Sequence, residues 1–93
     1  MAIEITIDQP NHIYFANRAN CHLEIEQYEE CIQDCNKAIG IEPTFTKSYF
    51  RKAKAELFQQ RLQDALKSVD NGLQQEPENE QMLYLKREIE EEI

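Results

Sequence analysis

The sequence predicts an all-α fold made of antiparallel helix pairs. Three observations predict it: a 34-residue internal period, two helical stripes of apolar residues in each period, and few turn-forming residues. Pro43 and Pro77 lie 34 residues apart, each preceded by Glu (Glu42, Glu76). Sliding the chain by that interval also pairs Phe15 with Tyr49, Ala19 with Ala53, Leu23 with Leu57, Cys31 with Ala65, Ile32 with Leu66, Ala38 with Gly72 and Ile39 with Leu73. Matches spread through the whole period mark a repeated structural unit rather than one recurring motif. Gly occurs twice and Pro three times in 93 residues, too few for the many tight turns of an all-β chain.

The first stripe of the first period is Tyr14/Phe15, Ala19 and His22/Leu23, at helical spacing. A second stripe follows in Tyr28, Ile32, Cys35 and Ile39. The next period repeats the arrangement with Tyr49/Phe50, Ala53 and Leu57/Phe58, then Leu62, Ala65/Leu66, Val69 and Leu73. The connections near Glu26-Gln27 and Gln60-Arg61 are short, so each pair of helices must be antiparallel. Pro43 and Pro77 cannot continue a helix interior and end the second helix of each pair. Small residues (Ala19, Cys31, Ala38; Ala53, Ala65, Gly72) fall where paired helices would approach closely. Met82, Leu85, Ile89 and Ile93 form one more stripe with Glu-rich surroundings, which predicts a solvating C-terminal cap helix.

Composition narrows the function. The net charge of −8 sets the whole chain against the phosphate field of nucleic acid. No apolar run approaches the roughly 20 residues of a membrane span, and residues 1–10 lack the basic and apolar parts of a signal peptide. With no such signal, the three cysteines are expected as reduced thiols in a cytoplasmic protein. Cys21, His22, Cys31 and Cys35 could be considered for zinc, but no Cys-x-x-Cys occurs and buried free thiols explain them as well. No metal or other cofactor is expected. No phosphate loop, His-Glu-x-x-His or nucleophile elbow is present, so no enzyme is expected. Charge is unevenly spread: Lys47, Arg51, Lys52 and Lys54 form a basic run with no acid between Glu42 and Glu56. A local basic patch on an acidic chain is more informative than the total, although such a cluster is usually a solvated helix face.

Period, helix pairing and closing prolines together resemble the tetratricopeptide repeat, whose unit is a 34-residue helix–turn–helix. The resemblance implies repeats at 12–45 and 46–79, a capping helix at 80–93, and residues 1–9 as the remnant of a preceding repeat or an extension. Phe15 and Tyr49 take the family's aromatic slot, and Ala19 and Ala53 its small slot. Arg18 and Lys52 depart from a usual Leu, His22 and Glu56 from a usual Tyr, and Cys35 and Val69 from a usual aromatic.

In this family the second, fifth, sixth and ninth residues of a repeat line a groove. Here they are Ile13, Ala16, Asn17 and Asn20, then Lys47, Phe50, Arg51 and Lys54. The strings Tyr14–Ala19 and Lys47–Ala53 resemble the carboxylate-clamp subgroup, which binds the acidic C-terminal tails of the seventy- and ninety-kilodalton heat-shock chaperones. Position by position, Asn17, Lys47 and Arg51 match three of its five clamp residues. Ile13, Asn20, Phe50 and Lys54 become accessory groove residues. The other two clamp residues belong to a preceding repeat whose first helix this chain does not contain. The resemblance implies a co-chaperone adaptor whose partner is a chaperone C-terminal peptide. The alternative is a repeat scaffold that binds another protein, or a second copy, through apolar helix faces.

Overall fold

In the computed structural model, residues 11–93 are described, so the expectation for residues 1–9 lies outside the described part. Five α-helices follow in order: α1 His12–Glu24, α2 Tyr28–Ile41, α3 Thr46–Phe58, α4 Leu62–Gln75 and α5 Glu80–Glu92. Helix α1 packs on α2, α3 on α4, and the pairs stack through α2 on α3 and α4 on α5. Helices α1, α3 and α5 also touch in sequence, forming one inner row. This is the all-α stack of antiparallel pairs that the period predicts.

The punctuation follows local chemistry. Asn11 starts α1 by accepting from the Tyr14 backbone N–H at 2.9 Å, and Asn79 starts α5 by accepting from Met82 at 3.0 Å. Each satisfies one of the donors left free in a first helical turn. Helix α1 ends in a left-handed turn at Glu26 (φ 65°), and α3 ends in the same turn at Gln60 (φ 61°). Gln27 N–H reaches back to His22 C=O and Glu26 N–H to Leu23 C=O. The same two bonds recur 34 residues later, from Arg61 to Glu56 and from Gln60 to Leu57. This double closure is a Schellman motif, which reverses the chain within a few residues. Helices α2 and α4 end at Glu42 (φ −139°, ψ 88°) and Glu76 (φ −137°, ψ 82°), extended as the following proline requires.

The core divides in two. Between α1, α2 and α3 lie Ala19, Cys31, Ile32, Cys35 and Ala55. Between α3, α4 and α5 lie Tyr49, Ala53, Ala65, Val69, Met82, Leu85 and Ile89. Small side chains let the backbones approach closely. A Cβ added at Gly72 would stand 2.9 Å from Tyr49 Cβ and would also strike the end of Met82. Tyr49 donates its hydroxyl to Pro43 C=O at 2.6 Å and ties α3 to the preceding loop. Burial raises the pKa of that phenol. Helix α5 is more than a solvating cover: Met82, Leu85 and Ile89 are buried. The expected fourth member of its stripe, Ile93, is 64% exposed.

Candidate functional site

Five of the eight residues expected in the groove come together. Asn20 from α1 and Lys47, Phe50, Arg51 and Lys54 from α3 line a cavity of about 310 Å³. The α3 residues converge because spacings of three and four return to one face of a helix. Thr46, Leu23 and, from α5, Asn79, Gln81 and Met82 complete the lining. Asn17 and Ile13 are exposed on α1 and lie outside this lining. Ala16 is a correction: it is fully buried and does not line the cavity. Its backbone still matters, because Arg51 Nη1 donates to Ala16 C=O at 2.8 Å. That bond locks α3 against α1 and aims the rest of the guanidinium.

Among the described residues, Lys47, Arg51 and Lys54 form no salt bridge. Of the seven bases elsewhere, three do: Arg18 with Asp34, Arg61 with Glu29 and Asp64, and Lys86 with Asp70. Lys54 Nζ lies 5.7 Å from the Phe50 ring centroid, a cation over an aromatic face. The groove therefore presents three positive charges, and no carboxylate among the described residues forms a salt bridge with them. That arrangement suits an anion, and Arg can take a carboxylate through two parallel N–H bonds.

Other polar residues are structural. Arg18 grips Asp34 with two bonds, Nε to Oδ2 at 2.8 Å and Nη2 to Oδ1 at 2.9 Å. The Asp34 bond raises the already high pKa of this guanidinium. His22 is half-buried beside the same carboxylate, its Nε2 3.6 Å from Asp34 Oδ2. His12 is half-buried, its ring centroid 4.9 Å from that of Phe45. Cys31 and Cys35 are fully buried, and Cys31 Sγ points at Arg51 C=O at 3.8 Å. The hydrogen bond with Cys31, then burial, pushes the Cys35 thiol far up, so it stays protonated. Among the described residues no group of three or more His, Cys, Asp or Glu could hold a metal ion, and no helix is long and apolar enough to cross a membrane.

Sequence reasoning missed the contribution of α5, although the signal was present. Extending the 34-residue frame once more puts Gln81, Tyr84, Leu85 and Glu88 at the groove positions of Lys47, Phe50, Arg51 and Lys54. Gln81 lines the cavity as that extension requires.

The model of the tetratricopeptide repeat matches residues 13–45. The second such domain of human RPAP3, solved in complex with the HSP70 peptide SGPTIEEVD, superposes with a TM-score of 0.82. It is 32% identical, with 86% of this chain and 67% of that one covered. The chain belongs to the tetratricopeptide repeat family. As a tetratricopeptide domain it is an interaction module and not an enzyme. The first such domain of Spaghetti (RPAP3), bound to the HSP90 peptide SRMEEVD, gives a TM-score of 0.86 at 28% identity, covering 92% of this chain and 71% of that one. The Hsp70/Hsp90 co-chaperone CNS1 of Saccharomyces cerevisiae is 36% identical over 86 residues, which is 91% of this chain and 22% of CNS1. The chain thus spans about a fifth of that relative's length.

Proposed function

We propose that this tetratricopeptide domain is a chaperone adaptor that binds an acidic C-terminal peptide, with Lys47 and Arg51 holding the terminal carboxylate. The observation that carries the reading is the groove itself: Lys47, Arg51 and Lys54 converge there, and among the described residues no salt bridge offsets them. Lys47 is exposed and contributes a compact charge, whereas Arg51 is half-buried and held by Ala16 C=O. Asn17, on the neighbouring helix, acts as an amide donor at the rim. Asn20, Phe50 and Lys54 meet the residues that precede the carboxylate, and Ile13 meets an aliphatic side chain. In this reading residues 12–45 and 46–79 are the two repeats, with 80–93 as the capping helix, and the module works in the cytoplasm. The related domains solved with HSP70 and HSP90 tail peptides support this ligand chemistry.

The test is calorimetric titration with SRMEEVD and SGPTIEEVD, each with a free and an amidated C-terminus. The free forms should bind, and amidation should abolish most of the affinity. A charge-assisted hydrogen bond contributes about 1.5–3 kcal/mol. Lys47→Ala should therefore weaken binding about tenfold or more, and Arg51→Ala at least as much. Raising salt should weaken it further. Equal binding of free and amidated peptides would sink the reading.

A further inference from the structure

The groove does not stop at its basic end. A second crevice of about 280 Å³ is lined by Phe50, Lys54, Gln81, Tyr84, Leu85 and Glu88. It shares Phe50, Lys54 and Gln81 with the first cavity. A third, of about 300 Å³, is lined by Leu57, Phe58, Gln60, Glu88, Glu91 and Glu92 and shares Glu88 with the second. The three form one continuous trough along the seam between α3 and α5. Its charge changes sign along its length. Lys47, Arg51 and Lys54 mark one end, aromatic Phe50 and Tyr84 the middle, and Glu88, Glu91 and Glu92 the other end. Lys54 and Glu88 line the same crevice, and among the described residues neither forms a salt bridge. Tyr84 is 65% exposed, apolar surface on the path between the charged ends, while Phe58, 54% exposed, lies at the acidic end and stacks on Tyr28.

We propose that this trough selects peptides of opposed charge. It takes tails whose acidic C-terminal residues follow a large apolar side chain and, before that, a Lys or Arg that meets Glu88, Glu91 and Glu92. The proposal rests on the carboxylate-binding reading above and adds the upstream half of the ligand. The register follows from length. Lys47 to Phe58 spans about 16 Å at 1.5 Å per helical residue. An extended peptide covers that distance in about five residues at roughly 3.3 Å each. The base should therefore stand about five positions before the terminal residue, as the Arg of SRMEEVD does.

The experiment compares SRMEEVD with SEMEEVD on the whole chain at low salt. Exposed charge pairs are individually weak, so the Arg peptide should bind about fivefold tighter. The preference should disappear in the triple variant Glu88→Gln, Glu91→Gln, Glu92→Gln. It should persist in Glu26→Gln, Glu30→Gln, Glu78→Gln, which removes the same charge elsewhere. Should the first triple variant lose its helical circular dichroism, the single reversal Glu91→Lys serves instead and should narrow or invert the preference. Equal affinity for the two peptides overturns this inference and leaves the carboxylate reading intact. So does a preference that survives in the seam variants: it overturns the inference alone. Failure of the chain to bind either peptide overturns both.

Discussion

At the centre of the first helix pair, α1 and α2 are joined by an ion pair: Arg18 holds buried Asp34 through two bonds, with His22 alongside. At the same level of the second pair, 34 residues on, stand Lys52, Ser68 and Glu56. There the link is Ser68 Oγ donating to Glu56 Oε1 at 2.7 Å, with both residues buried. The carboxylate has moved from the second helix of the pair to the first, and its partner has changed from a guanidinium to a hydroxyl. The apolar filling differs in the same sense. The first pair packs Ala19, Cys31 and Cys35 with one larger residue, Ile32, while the second packs Tyr49 and Val69 against Met82, Leu85 and Ile89 of α5. Two repeats of one backbone plan thus need a satisfied polar link across the pair, but no particular sign or owner of the charge.

Removing the two bases should break that symmetry most strongly. Arg18→Met leaves the Asp34 carboxylate buried with only His22 near it. A buried charge without its partner is costly, and partial exposure of Arg18 moderates the loss to about 2–3 kcal/mol. Lys52→Met removes no salt bridge and should change stability by no more than about 0.5 kcal/mol. Urea unfolding of the two variants measures the difference, and equal losses would show that the pairs are held alike.

The small-residue slot gives the next contrast. Gly72→Ala puts a methyl group against Tyr49 Cβ at 2.9 Å and against Met82. Met82 can swing aside, but Tyr49 Cβ is fixed to the backbone of α3. Overpacking typically costs about 1–3 kcal/mol, and the better helix propensity of Ala returns up to about 1 kcal/mol. A net loss of about 1–2 kcal/mol is expected. The equivalent residue of the first pair, Ala38, already carries a methyl group and is fully buried. Thermal melts of Gly72→Ala would place the α4–α5 contact at fault if Met82→Ala in the same chain relieved part of the loss.

The fold was legible because a helix pair writes its period, its stripes and its stops directly into the chain. The double Glu-Pro ending and the alternation of small and large residues needed no tertiary knowledge. The groove was legible on α3, where Lys47, Phe50, Arg51 and Lys54 share one helix face. It was less so on α1: Ala16 fits the spacing yet is fully buried, because spacing alone does not set burial. The wall supplied by α5 was hidden by sequence divergence. Arg87 stands where the period calls for a small residue, so the self-match fades, although Gln81, Tyr84 and Glu88 keep the frame. The Arg18–Asp34 link was unreadable for another reason. It joins residues 16 apart on different helices, and only packing tells a buried pair from two solvated charges.

The gentlest test of the comparison uses pH. Burial raises the Glu56 pKa, and the hydrogen bond from Ser68 and the charges of Lys52 and Arg61 only partly oppose it. Ionising Glu56 is therefore harder in the folded chain than in the unfolded one. The resulting penalty is absent when the group is protonated in both states. It grows as pH rises from the ordinary carboxylate range to the raised folded value, and stays constant above. Glu56→Gln keeps an oxygen that can accept from Ser68 and removes the charge. It should stabilise the protein at about pH 7, and the gain should vanish below about pH 4. Asp34→Asn in the first pair should do the reverse at neutral pH, because Arg18 loses its carboxylate. Denaturation midpoints across the pH range read both effects. If Glu56→Gln were destabilising at neutral pH, Glu56 would be serving as a counterion to Lys52 and Arg61, and the two pairs would be ionic alike.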